Sequence, residues 1–325
     1  MEIRVLGSDF KLRGIIDGAL ELRYSEKFRE AGEFFAKIPF TKENYALLKP
    51  PSRILVEELL YTVERVSCTE DEIKVSAEGI FSEFKNIYVT EALEIEDSPT
   101  AILSQLAREL GIQGVGYEVY SSGLRDDRVV LAYGCCSDYY SIMSQLCQDY
   151  ELGFRMLYNP LKNELGFYLM HVSDRASVYA SGYTVISDER DSYTRIEAIT
   201  DVSDYKNRIE FIYRLNLTGN LESVVYERSD IGEAQRGCVE HPRVLASTRE
   251  ELVKELNALA AKRFGELRKK RYFKVWLRDN INHSLGNLCA VEASRIGEYA
   301  TALLTEREIE IKDTVRSEIL LLEVQ

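Results

Sequence analysis

The spacing of apolar residues changes along this chain, and that change limits the possible fold more than any single motif does. A strand turns successive side chains to opposite faces, whereas a helix brings every third or fourth residue to one side, so one stretch cannot satisfy both periods. From Met1 to about Leu93, short alternating runs broken by turn residues predict strands. These are Ile3 to Leu6, Lys11 to Ile16, Leu20 to Phe28, Gly32 to Pro39, Ile54 to Glu57, Tyr61 to Cys68 and Glu72 to Ala77. The last two are joined by the polar turn Thr69-Glu70-Asp71, and together the runs read as an antiparallel meander.

The period then becomes helical. Ser98 is a natural N-cap and Pro99 suits the first helical position. Ile102, Leu103, Leu106 and Leu110 follow on one face, and Gly111 supplies the stop. A second helix is expected from Ser137, carrying Ile142, Met143, Leu146 and Tyr150 and stopping at Gly153, after strand-like runs at Gly116 to Tyr120 and Arg128 to Ala132. Phe154 to Leu157 and Leu165 to His171 read as a hairpin around Asn159-Pro160-Leu161-Lys162-Asn163.

From about Tyr193 alternation returns, at Arg195 to Val202, Asn207 to Tyr213, Ser223 to Tyr226, Phe273 to Leu277, Cys289 to Ala293, Ala300 to Glu310 and Glu318 to Val324. One long helix, about 248–268, interrupts it. Ser247 or Thr248 caps it with Glu250 or Glu251 three residues on, and Val253, Leu256, Ala260, Phe264 and Leu267 form its apolar stripe. The predicted class is α+β and β-rich, in three parts: 1–93 all β, 94–190 α+β with two helices, and 191–325 β with the long helix.

Composition removes several classes of function. A net charge of -13 and a pI near 5.0 argue against nucleic-acid binding, which draws on surplus Lys and Arg. No apolar run approaches the roughly 20 residues of a membrane span, and the N-terminus lacks the pattern of a secretory signal, so no membrane insertion is expected. The six cysteines form no CxxC pair and read as reduced thiols. No GxSxG, GxxxxGK[ST] or GxGxxG motif occurs. His171, His241 and His283 share no metal-ligand spacing; His171 reads as a half-buried strand residue and the other two as loop residues. Asp188-Glu189-Arg190-Asp191 reads as a solvated turn, and the vicinal Cys135-Cys136 lacks a basic neighbour to activate it. The basic run Arg268 to Arg271 either complements the helix C-terminus or meets an acidic partner. No catalytic, cofactor or metal residue is assigned, and no enzymatic activity is expected.

The segments Glu2-Ile3-Arg4-Val5-Leu6 to Gly14-Ile15-Ile16-Asp17, Leu22-Arg23-Tyr24, Phe28, Ala31-Gly32-Glu33-Phe34-Phe35-Ala36-Lys37-Ile38-Pro39 and Thr41-Lys42-Glu43-Asn44 to Leu47-Leu48 resemble the N-terminal region of tail hub proteins of tailed phages and phage-derived contractile particles. Ser203-Asp204-Tyr205-Lys206-Asn207-Arg208 looks like the return to a second tube-like domain in such proteins. Leu285-Gly286-Asn287-Leu288-Cys289-Ala290-Val291 resembles their Leu-Gly-Asp-x-Val strand entry, with Asn287 in place of the acid. The resemblance implies two tube-like antiparallel β-barrel domains flanking an α+β insert. It also implies a homotrimer forming a pseudo-sixfold ring between a hexameric tail tube and a trimeric spike. The implied partners are tail tube protein, central spike protein and, as a further candidate, tape-measure protein; passage of DNA through the lumen, without specific binding, stays open. The implied location is the tail tip or baseplate of a virion or phage-like particle made in the bacterial cytoplasm.

A ring subunit needs strand edges or faces that meet its neighbours. Gly32 to Pro39 is the first candidate: Glu33, Phe35 and Lys37 fall on one face, Phe34, Ala36 and Ile38 on the other. Either one face packs inward and the other meets a neighbour, or the strand is core on both sides. Two other functions compete with the hub. One is a tail-tip enzyme degrading the cell wall, disfavoured because the chain is expected to end with its second β region. The other is a carbohydrate-binding module using some of the 20 tyrosines.

Overall fold

The computed structural model describes residues 2–324 apart from 92, 113, 119–127, 134–136, 172–183, 191, 215–220, 229–235, 243–245, 247, 279–284 and 313. Two compact units emerge, one of Met1–Glu197 with Phe273–Gln325 and one of Ala198–Tyr272.

The first unit begins with β1 (Ile3–Leu6), β2 (Leu12–Ile16), β3 (Glu21–Lys27), β4 (Glu33–Pro39), α1 (Lys42–Leu48), β5 (Arg53–Val56), β6 (Leu59–Cys68) and β7 (Glu72–Gly79). The seven predicted strands are all present. The short helix α1 has no counterpart in the sequence reading: of its seven residues only Leu48 is buried, too few to mark a period. Thr41 still caps it, accepting from the Asn44 N–H. Alternation along these strands supplies one core, in which Leu22, Tyr24, Phe34, Ala36, Ile38, Tyr61, Ile73 and Val75 are buried.

The middle of the chain adds a 3-10 turn at Ile80–Asn86, then β8 (Leu93–Asp97), α2 (Pro99–Glu109), β9 (Gly114–Glu118), β10 (Val129–Tyr133), α3 (Tyr139–Asp149), β11 (Leu152–Asn159) and β12 (Glu164–His171). Ser98 caps α2 through the Ala101 N–H with Pro99 just inside, and Gly111 at φ +82 takes the left-handed position after it. The cap of α3 is Asp138 rather than Ser137, because the aspartate oxygen reaches the Ser141 N–H. Gly153 does not stop that helix: α3 ends at Asp149, and Gly153 already lies in β11. Ile102, Leu103, Leu106, Ile142, Met143 and Leu146 pack with Phe81, Phe154 and Phe167 in a second core.

The chain continues through β13 (Thr184–Ser187) and β14 (Tyr193–Asp201) and passes into the second unit. There β15 (Arg208–Arg214) pairs antiparallel with β16 (Leu221–Glu227) and parallel with β17 (Gly237–Glu240). Helix α4 (Arg249–Glu266) buries Leu252, Leu256 and Ala260 in a core with Ile209, Phe211 and Tyr213. Its capping box is Thr248 with Glu251. The expected apolar stripe is corrected at its start: Val253 is 50% exposed and Leu252 takes its place, since 252, 256 and 260 keep the i, i+4 spacing.

The chain re-enters the first unit along β18 (Lys270–Leu277) and finishes with β19 (Leu288–Ala293), β20 (Glu298–Ile311) and β21 (Val315–Glu323). The long β20–β21 hairpin returns to the N-terminal strands, with β20 pairing β3 from Glu306↔Lys27 to Ile311↔Leu22. A hydrogen-bonded run of strands results, in the order β14-β18-β21-β20-β3-β4-β7-β6-β5-β1-β2. Among the described residues no set of strands closes into a barrel.

Three strands are also tied by charge. The Glu26 carboxylate accepts from Arg155 of β11 at 2.7 Å and meets Arg307 of β20 at 3.0 Å, with 7% of its side chain exposed. The backbone follows the same route: the Phe28 N–H donates to Thr305 O, and the Phe154 N–H donates to Phe28 O. Phe28 is buried against Gly153 and Gly286, where a Cβ would fall 2.1 and 2.6 Å from its ring.

Candidate functional site

One face of this strand run is built almost wholly of charges. The β3–β4 register sets Glu21 against Lys37 and Arg23 against Phe35, and the β4–β7 register carries the same face on to Glu72, Lys74, Ser76 and Glu78. On the other side β20 contributes Glu306, Glu308 and Glu310 opposite Lys27, Ser25 and Arg23, and β21 contributes Glu318 opposite Glu308. Beside them Lys274 of β18 bonds Glu318 at 2.6 Å.

The cations on this face are held by carboxylates of the same chain. Arg23 lies 2.5 Å from Glu21 and 3.2 Å from Glu310; Lys27 lies 2.9 Å from Glu33 and 3.9 Å from Glu306; Lys74 is 2.9 Å from Glu72. Lys37 also bonds Glu21, and that contact, with Arg23 beside it, holds the Glu21 carboxyl below its usual range. Glu306 and Glu308 shift the other way. Burial raises both, and Glu318 adds repulsion at Glu308. Glu64 is likewise raised by burial and by Glu78. A shallow depression of about 460 Å³ lies among Arg23, Glu33, Phe35, Glu64, Glu78 and Glu308.

The strand singled out from sequence sits in the middle of this face. Phe34 and Ile38 point into the core at 2% and 0% exposure, while Glu33, Phe35 and Lys37 occupy the charged side. Both edges of β4 are taken within the chain, by β3 and β7, so what it offers a neighbour is a face and not an edge. Trp276 caps the far end of the face, with Arg195 4.5 Å and Lys274 5.2 Å from its ring centre.

The remaining sequence candidates lie apart. His171 contributes its backbone to β12, His241 is exposed in the loop after β17, and His283 and Cys135-Cys136 lie outside the described residues. The acidic turn at 188 does more than face solvent: Asp188 accepts from the Ser294 hydroxyl at 2.6 Å, from the Tyr193 hydroxyl and from the Arg295 N–H at 3.0 Å. The first two bonds lead in lowering its pKa to about 2. Lys270 of the basic run lies 3.5 Å from Asp204, and Lys269 lies over the Tyr205 ring. Leu285-Gly286 makes the expected turn into β19, with Gly286 at φ +82. Among the described residues no cluster of His, Cys, Asp or Glu could hold a metal. Burial pushes the Cys147 and Cys289 thiols up to about 12, so neither is a ready nucleophile.

Sequence reading missed the acidic half of this face. The signal was present as Glu306-Arg307-Glu308-Ile309-Glu310, where a carboxylate at every second position puts all three on one side of a strand. Its partner strand could not be read, because β3 is nearly 300 residues away in the chain.

No protein-family model and no curated protein matches the sequence. Solved structures do match. A tail protein from Neisseria meningitidis MC58 superposes with a TM-score of 0.62 at 13% identity, covering 99% of this chain and 96% of the other. The prophage tail protein gp18 from Listeria monocytogenes EGD-e gives 0.59 at 13% identity, covering 99% and 94%. The 43 kDa tail protein of prophage MuSo2 from Shewanella oneidensis gives 0.56 at 12% identity, covering 99% and 97%. At such identities the likeness is one of fold, and it runs from end to end: this chain has the fold of phage tail proteins.

Proposed function

We propose that this chain is a structural hub subunit at the tip of a phage or phage-like tail, where three copies form a pseudo-sixfold ring joining a hexameric tail tube to a trimeric spike. The observation that carries this reading is the fold match, which takes in 99% of this chain and nearly all of three separate tail proteins. Two β-rich regions, 1–93 and 191–325, serve as the tube-like parts, and 94–190 is the insert between them. The partners are tail tube protein above, spike protein below and a tape-measure protein in the channel.

The charged sheet face suits the wall of a water-filled channel. Strands β21, β20, β3, β4 and β7 each place a carboxylate on it, and Lys27, Lys37, Lys74, Lys274 and Arg23 are bonded to those carboxylates. Cations already neutralised in place have little left for phosphates, so DNA can pass without being held. Glu33, Phe35 and Lys37, in the middle of this face, belong to that wall.

Imaging of assembled particles with a tagged chain tests the reading. Threefold density for this chain where tube meets spike is the expected result. A strict monomer in solution together with absence from the particles would refute it.

A further inference from the structure

Where the N-terminal strands meet the middle of the chain, the first unit holds a cavity of about 390 Å³. We propose that it takes an apolar side chain of a partner polypeptide together with that residue's backbone carbonyl. That the partner is another tail protein rests on the reading above; that the cavity selects an uncharged apolar amide does not.

The floor of the cavity is made by Ile80, Phe84 and Ile112, all buried, and its walls by Phe10, Leu110 and Leu165. These side chains come from the β1–β2 turn, the 3-10 turn, the end of α2 with the residues after it, and the start of β12. They leave a space between them instead of closing on one another, and Ile87 at its mouth is 42% exposed. Sites that take small ligands span about 300–1,000 Å³, whereas packing defects in a folded core are seldom larger than a water molecule.

One wall carries charge that is already neutralised. Arg53 holds Glu83 side-on, with Nε 3.0 Å from Oε1 and Nη2 2.9 Å from Oε2, and its Nη1 donates to Ser8 O at 2.8 Å. The Thr62 hydroxyl adds a bond to Glu83 at 2.6 Å. Three of the five guanidinium N–H groups are used in this way, and the other two have no acceptor among the described residues. A neutral pair with spare donors suits an uncharged acceptor. An entering anion would meet Glu83 and, at the mouth, Glu164; an entering cation would meet Arg53 and lose its water to apolar walls. A backbone carbonyl incurs neither cost, and an apolar residue within a polypeptide brings one with it.

The wall at Phe10 is held against the local preference of the chain. Phe10 has φ +61, in the region that favours glycine, within a turn closed by Phe10 N–H to Gly7 O at 3.0 Å and Gly7 N–H to Lys11 O at 2.9 Å. Its ring is kept in place by Arg53, 4.2 Å from its centre, and by a stack on Tyr158 at 5.8 Å, whose hydroxyl also donates to Phe10 O at 3.1 Å. Backbone strain of this kind persists only where the surroundings over-determine it, and it clusters at ligand clamps. The cavity thus has its shape before a ligand arrives, and binding requires little rearrangement.

The test uses the full chain, labelled with carbon-13 at its isoleucine methyls and titrated with N-acetyl-leucinamide, an uncharged apolar residue with both flanking amides. Signals of Ile80, Ile87 and Ile112 should shift together and saturate at about millimolar concentration, the affinity that a ligand of this size supports. Free leucine and 4-methylpentanoate, which carry a carboxylate, should bind at least about tenfold more weakly. Ile87→Asp, at an exposed position that should leave the melting temperature unchanged, should weaken N-acetyl-leucinamide by a similar factor. Four outcomes overturn the proposal and leave the hub reading intact: no saturable shift, shifts confined to other isoleucines, a carboxylate that binds as well as the amide, or an Ile87→Asp variant of wild-type affinity. Because the shifts are read on the wild type, a misfolded variant would not rescue the idea. In assembled particles, p-benzoylphenylalanine in place of Ile87 should photo-crosslink to a neighbouring polypeptide at an apolar residue. Particles that contain the chain but yield no such crosslink overturn the partner, and a chain absent from particles overturns the hub reading and the tail partner with it.

Discussion

The Glu26 carboxylate gives the sharpest quantitative test of how the first unit is held together. It is shared by Arg155 and Arg307, and so connects β3 to both β11 and β20. Replacing it by glutamine keeps the shape and removes the charge. Breaking a buried ion pair by neutralising one partner costs about 3–5 kcal/mol, mostly from the burial of the opposite charges. Here Arg155 keeps 25% and Arg307 14% of its side chain exposed, so water recovers part of that loss and the lower end, about 3 kcal/mol, applies. For a unit of this size each kcal/mol moves the midpoint by about 2–4 °C, so E26Q should melt roughly 6–12 °C below wild type at pH 7. The sole tryptophan, Trp276, belongs to the same unit, and its fluorescence follows the transition. The triple variant E26Q/R155M/R307M should regain most of the loss, because an apolar replacement of the whole cluster removes the burial cost together with the attraction. A shift under about 2 °C for E26Q, or a triple variant no more stable than E26Q, would show that the cluster contributes by packing and not by charge.

Other substitutions probe other levels of the structure. Gly153→Ala places a methyl 2.1 Å from the ring of buried Phe28 and should destabilise the first unit by about 3 kcal/mol or more in urea titrations, beyond the usual overpacking cost; an unchanged midpoint would mean that Phe28 moves freely. Thr248→Ala removes the capping box of α4 and should cost about 1 kcal/mol in the second unit, read as earlier loss of amide protection across Arg249–Glu266, with protection unchanged if the cap is idle. Glu308→Gln should stabilise the chain at pH 7. Burial and Glu318 raise the folded-state pKa above the unfolded value, so the ionised form is a penalty that disappears as pH falls through the folded pKa. The gain in melting temperature should therefore shrink towards zero near pH 4, and a gain independent of pH would assign the effect to something other than ionisation.

How much of this was legible in the sequence depends on the range of each interaction. The cap at Ser98, the stop at Gly111 and the Thr248–Glu251 box use groups within four residues, and all were readable in place. Helix α1 was missed because seven residues with one buried side chain carry no period. Strand β8 was missed for a related reason: Glu94, Glu96 and Asp97 surround Leu93 and Ile95, and the run looks like a linker until β10 pairs with it. The two faces of β4 were read correctly from alternation, with Phe34, Ala36 and Ile38 buried as one set. The fate of its edges could not be, since no local pattern says which strand arrives beside another. The pairing of β20 with β3, which joins the two ends of the sequence, determines that β4 is internal.

The same pairing gathers charges of both signs on one sheet face of a chain that is acidic overall. At a net charge of -13, copies repel one another at long range. Repulsion of that kind is screened beyond about 8 Å at physiological ionic strength, whereas strand pairing acts at about 5 Å between backbones. On the charged face, moreover, cations and carboxylates are interleaved strand by strand, from Lys274–Glu318 through Arg23–Glu21 to Lys74–Glu72, so the local field is far smaller than the total charge suggests. Long-range charge therefore opposes the approach of free copies, while the paired charges of this face leave little repulsion at short range.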